Sequence, residues 1–178
     1  EISSGKITQV TTDGKRNEII NGTTDWVYEE EFAITKAYGW SPDSKYIGYL
    51  KFNEKNVKEF TMTYYEELYP EPYTFKYPKA GEKNADVSVH IYNVSSNTSK
   101  QINLGNYSDF YIARMKWTND ANVLSARVLN RHQDNLDLIF VDGNSGVKKV
   151  VLNEKDKAYV DVTDNLTVLQ DNSFIWTS

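Results

Sequence analysis

Glu29, Glu30 and Glu31 stand in a row behind Trp26, Val27 and Tyr28 and ahead of Phe32. Two carboxylates held close together beside an apolar wall repel each other. An ammonium group between them relieves that repulsion and donates charge-assisted hydrogen bonds to both. Charge patterning alone favours a plainer reading, in which a glutamate run is the solvated face of a helix. Thr24 or Asp25 can cap such a helix, its side-chain oxygen accepting from the free amides of the first turn. The segment therefore reads as a short helix with the glutamates near its N-terminal end, where the dipole favours anions. Successive helical residues are about 100° apart. Glu30 and Glu31 can both lean toward one ligand while Glu29 points elsewhere, with Trp26 and Phe32 pinning the segment to the body.

Little else in the chain carries chemistry. It has no cysteine, hence no disulfide framework and no thiolate metal site. No Gly-x-Ser-x-Gly nucleophile elbow occurs. Gly143-Asn144-Ser145-Gly146 comes nearest and is hairpin-turn chemistry. His90 falls in a predicted strand and His132 in a polar run, neither in the context of a catalytic triad. The Asp and His residues show no metal-ligand spacing. No catalytic residue, metal or cofactor is assigned here. The net charge of −5 supplies no basic field for nucleic acid. No apolar run approaches the ~20 residues of a membrane span.

The elements that must position the glutamates read as β-structure. The 178 residues suffice for one domain or a piece of a larger one, and 39% are hydrophobic. The chain opens on Glu1 and shows no signal peptide, which suggests an excised or processed segment. Residues 4–10 read as a turn feeding a short strand, with Asp13-Gly14 as the next tight bend. Trp40-Ser41-Pro42-Asp43 reads as a strand ending in a turn. The strand after it, Tyr46 to Phe52, is apolar on both faces.

These units recur. Lys116-Trp117-Thr118-Asn119-Asp120 repeats the Trp40 turn, and a weaker third copy runs from 168 to 176. Residues 91–104 recur as 139–152, each a strand, a polar turn and a strand. A four-strand unit repeating every ~40–50 residues marks a β-propeller blade. The chain holds too few repeats to close a ring, so the expected fold is all-β, an open propeller arc whose first blade is partial. Residues 53–86 interrupt the period with a Tyr- and Pro-rich arm, expected to be extended, ordered and packed on something, an interface first of all.

Asp25-Trp26-Val27-Tyr28-Glu29-Glu30-Glu31-Phe32, Trp40-Ser41-Pro42-Asp43 and Tyr77-Pro78-Lys79-Ala80-Gly81, in that order, resemble the dipeptidyl peptidase IV family of serine peptidases. The likeness spans residues 1–178 and has a Bacteroidetes flavour. One departure is Asn84-Ala85, where the family pattern has Asn-Pro. The resemblance implies an eight-bladed N-terminal propeller capping an α/β-hydrolase domain in the same chain. The implied activity is release of N-terminal dipeptides with Pro or Ala second. It also implies that Glu30 and Glu31 hold the substrate's α-ammonium, that the 53–80 arm contributes to a homodimer, and that the enzyme is periplasmic, secreted or at the cell surface. The catalytic triad would lie outside these residues. The full Glu29-Glu30-Glu31 run favours dipeptidyl over prolyl tripeptidyl release. A non-catalytic propeller used for protein contact is the other reading.

Overall fold

The computed structural model describes residues 2–177. In chain order the elements are β1 (Ile19–Asn21), α1 (Trp26–Phe32), β2 (Tyr38–Trp40), β3 (Tyr46–Asn53), β4 (Glu59–Tyr64), β5 (Glu71–Lys76) and β6 (Asp86–Asn93). They continue with β7 (Thr98–Gln101), β8 (Phe110–Trp117), β9 (Val123–Asn130), β10 (Asn135–Asp142), β11 (Lys148–Lys155), β12 (Thr167–Val168) and β13 (Phe174–Ile175). Two antiparallel sheets form the body. One runs β2-β3-β6-β7, with β1 beside β2 along the same edge of β3. The other runs β8-β9-β10-β11. The short β12–β13 hairpin opens a third unit.

The repeats map onto equivalent strands. Residues 91–104 and 139–152 cover β6–β7 and β10–β11, both antiparallel pairs. The turns after β2, β8 and β12 share one hydrogen-bond device. Asp43, Asp120 and Asp171 each accept the amide two residues on, at 3.2, 2.9 and 3.0 Å. An aspartate doing this mimics a backbone turn, which is why the pattern survives where the surrounding residues diverge.

The central strands carry the core. β3 is buried from Tyr46 to Leu50 and again at Phe52, and β9 from Leu124 to Leu129. Their apolar faces merge with those of β6, β8 and β10 into one core shared by the two sheets. At Gly48 the side chains of the second sheet pack directly on the β3 backbone. A Cβ there would lie 3.2 Å from Leu124 Cδ1 and 3.3 Å from Trp117 Nε1. Beside it, Trp117 Nε1 donates to the Gly39 carbonyl at 3.0 Å, stitching β2 to β8.

The inserted segment forms a hairpin, β4–β5, paired from Glu59↔Lys76 to Tyr64↔Glu71. Every β4 residue is exposed. Near its base, aromatic rings meet across the pair, edge-on or tilted. Phe60 meets Phe75 at 6.2 Å and Tyr77 at 5.5 Å. At the tip Tyr65, Leu68 and Tyr69 are 77%, 88% and 79% exposed.

Three expectations from sequence change here. Residues 4–10 form no strand. They are mostly polar, and β1 and β2 already fill that side of β3. The chain reverses at Lys15–Ile19, whose backbones bond at 2.9 and 3.0 Å, and not at Asp13-Gly14. The first four-stranded unit is whole, and the incomplete one is the last.

Candidate cation site at the end of helix α1

Asp25 is the N-cap of α1, its Oδ1 accepting the Tyr28 amide at 3.0 Å. The helix has seven residues, so Glu29 alone of the three glutamates lies in the first turn. Glu30 and Glu31 sit in the last turn, not near the N-terminal end as the capping pattern suggested. Partial negative charge from the final carbonyls gathers there, which opposes carboxylates and attracts cations.

What fixes the helix is its buried side. Tyr28 and Phe32, four apart and so on one face, are buried with edge-on rings 5.3 Å apart. Tyr28 also packs on Phe52 at 4.7 Å, and its hydroxyl accepts the Ile112 amide at 2.8 Å. Burial drives the Tyr28 phenol well above its ordinary pKa, so it stays protonated. Phe32 is a pin, as expected. Trp26 is part-exposed and stacks instead on Tyr77 at the base of the arm, 4.2 Å between ring centres.

The second sheet closes the other end of the helix. β8 slips register between Ile112 and Arg114. Such a bulge re-aims a side chain, and here Arg114 reaches α1. Its Nη1 donates to Phe32 O at 2.9 Å and Ala113 O at 2.7 Å, and its Nε donates to Asp164 Oδ1 at 2.6 Å. Ala33 then turns the chain in the left-handed region at φ 53°.

Glu29, Glu30 and Glu31 are all exposed. Among the described residues none of them forms an ion pair. Glu31 Oε1 accepts from Gln133 Nε2 at 2.7 Å. Beside Glu31 opens a cavity of about 440 Å³, lined by Phe32, Val160 and Val162 and by the polar side chains of Arg114, Gln133, Tyr159 and Asp161. A larger one of about 820 Å³ lies along residues 81–87 and includes neither Glu30 nor Glu31. Glu31 lines the smaller cavity and Glu30 does not, and at the helix end Phe32 O is already taken by Arg114.

The start of the helix is electrostatically different. Asp25 is 6% exposed, and loss of hydration pushes its pKa up to about 6 despite the bond from the Tyr28 amide. Glu54 is raised by burial first and then by the nearby Asp25 charge, against the pull of Lys76. His90 lies in β6, and burial, then Lys51, lowers its pKa to about 4, so it is neutral at physiological pH. It bonds Ser88 at 3.0 Å and stacks on Tyr49 at 5.1 Å, a packing role. His132 is exposed in the β9–β10 turn. Among the described residues no three His, Asp or Glu groups could hold a metal ion, and no helix is long and apolar enough to cross a membrane.

Sequence reasoning found the glutamates and missed what supports them. Tyr28 carried a signal, its four-residue spacing to Phe32. Arg114 and Gln133 carried none, because each meets α1 only through the packing of the second sheet.

The sequence profile described as "Dipeptidyl peptidase IV (DPP IV) N-terminal region" matches residues 1–178. A crystal structure of Porphyromonas gingivalis dipeptidyl peptidase 4 aligns with a TM-score of 0.93 at 41% identity, over 98% of this chain and 25% of that one. Dipeptidyl aminopeptidase B of Saccharomyces cerevisiae is 34% identical over 180 residues, 96% of this chain and 22% of its own length. Dipeptidyl peptidase 4 of Trichophyton rubrum is 34% identical over 159 residues, 84% of this chain and 20% of its own length. The chain thus spans about a fifth of the length of the curated relatives it matches. The five-stranded and four-stranded sheets are blades of an open propeller arc, and among the described residues no sheet closes on itself.

Proposed function

Because the chain belongs to the dipeptidyl peptidase IV family, as part of that family's N-terminal region, we propose that it is the substrate-binding propeller part of a serine dipeptidyl aminopeptidase. In this reading Glu30 and Glu31 bind the α-ammonium of a peptide substrate, and the enzyme releases X-Pro or X-Ala dipeptides. An α/β-hydrolase domain of the same chain supplies the nucleophile. The setting is periplasmic or extracellular, as the family resemblance implies.

One observation carries the reading. Two exposed carboxylates without cationic partners sit on the carbonyl end of a helix anchored at both ends. A solvated helix face needs neither the anchoring nor that placement. A free α-amino group has a pKa near 7.7–8.0 and is substantially charged at neutral pH. Fixing it sets how far the peptide reaches toward a nucleophile, and so how many residues leave.

The test is Glu30→Gln and Glu31→Gln, made singly in the full-length enzyme. Each removes charge and keeps shape. A hydrogen bond to a charged group contributes roughly 1.5–3 kcal/mol, so kcat/KM on a dipeptidyl anilide should fall by about 10- to 100-fold. Unchanged kcat/KM in both variants refutes the assignment.

We further propose that the β4–β5 arm lies in a homodimer contact. Its support is the cluster of solvent-facing Tyr65, Leu68 and Tyr69 on an ordered hairpin.

A further inference from the structure

We infer that Gln133 is a positioning residue for Glu31, a role that rests on the ammonium-binding reading above. Gln133 lies in the β9–β10 turn of the second blade, distant in sequence from α1, and its Nε2 donates to Glu31 Oε1 at 2.7 Å. Among the described residues it is Glu31's one side-chain hydrogen-bond partner.

The turn that presents Gln133 is held firmly. Its amide donates to Asn130 O at 3.0 Å, and its carbonyl accepts the Val160 amide at 2.6 Å. Its φ is +58°, a left-handed conformation uncommon for a side chain of this kind. Asn130 Oδ1 braces the same turn, accepting the amides of Asp134 at 3.1 Å and Asn135 at 3.0 Å. The donor therefore comes from a fixed backbone. The helix end it meets is fixed as well, by Arg114 on Phe32 O at 2.9 Å.

The chemistry of the donor matters. A lysine or arginine here would pair with Glu31 and cancel the charge a substrate ammonium needs. A carboxamide orients the carboxylate and leaves its charge intact. It occupies Oε1 and leaves Oε2 for the ligand. Arg114, the cation that caps the helix end, is itself paired with Asp164, whose carboxyl it holds below the usual range. Gln133 thus limits the rotamers of an exposed glutamate without neutralising it. The entropy of ordering Glu31 is then met before substrate arrives.

The test uses the full-length enzyme and Gly-Pro-p-nitroanilide. Gln133→Ala should lower kcat/KM by about fivefold, the worth of one ordinary hydrogen bond. The loss should fall mainly in KM, as for an interaction made alike in ground and transition states. Thermal stability should be unchanged. Gln133→Glu, equal in size, repels Glu31 and should lose more than the alanine variant. In a Glu31→Gln background, Gln133→Ala should add nothing further, since the two residues act as one unit. Additive losses in that cycle, or wild-type kinetics in Gln133→Glu, overturn the proposal. If Glu31→Gln leaves activity intact, Glu31 does not hold the ammonium and this role fails with it; if Glu30→Gln leaves it intact as well, the ammonium reading itself fails. If Glu31→Gln lowers activity and Gln133→Ala does not, the role of Gln133 alone fails.

Discussion

Replacing Asp25 by Asn should make the protein more stable at neutral pH. Asp25 caps α1 from a buried position, 6% exposed, with a carboxyl pKa raised from 3.8 to about 6 by lost hydration. The raised value means that the folded state holds the proton more tightly than the unfolded chain. The protonated carboxyl's contribution is complete below pH ~4, declines as pH rises, and is gone above pH ~6. A gap of about two pKa units corresponds to roughly 3 kcal/mol. Ionised Asp25 gains up to ~1 kcal/mol from the helix dipole, a benefit that Asn forgoes. Asn caps as well as Asp, since its amide oxygen can accept the Tyr28 amide. The variant should therefore gain about 2 kcal/mol at pH 7.5 and almost nothing at pH 4. The Glu54 carboxyl, raised in part by the Asp25 charge, should titrate lower in the variant. Urea unfolding followed by tryptophan fluorescence, at pH 4 and 7.5 for both proteins, measures the difference. A variant less stable than wild type at pH 7.5 refutes the reasoning, because it would mean the ionised cap outweighs its desolvation.

Two further outcomes follow from contacts on the same helix and on the arm. Tyr28→Phe keeps the ring contacts and strips the acceptor from the Ile112 amide; leaving that buried donor unpaired should cost about 1–3 kcal/mol by urea unfolding, and a loss below ~0.5 kcal/mol would show that the amide finds another partner. Replacing the arm tip, residues 65–69, by a short Gly-Ser turn should convert a full-length dimer to a monomer by light scattering, and an unchanged mass would remove the arm from the dimer contact.

Much of the architecture was legible because its signals are local. The turn aspartates Asp43, Asp120 and Asp171 work within their own turns, so each copy announces itself even when, as at 168–176, little else repeats. The glutamates were legible for the same reason. Their position in the helix was not, because α1 ends where Arg114 and Ala33 end it, and nothing near Phe32 in sequence encodes an arginine on β8. The misplaced strand at 4–10 failed for a related reason. A strand exists only where an edge is free to receive it, and the edge of β3 was already taken by β1 and β2.

The bond between the Tyr28 hydroxyl and the Ile112 amide also bears on when this site comes into being. It joins positions separated by 84 residues. A helix of seven residues is too short to persist by itself in water. At synthesis rates of ~5–20 residues per second, the nascent chain waits about 4–17 s between making Tyr28 and making its partner. During that interval the glutamates have no settled place. The acidic end of α1 thus settles only once β8 has been made, and a pause or a slow codon run before β8 would prolong its immaturity without altering a single residue of it.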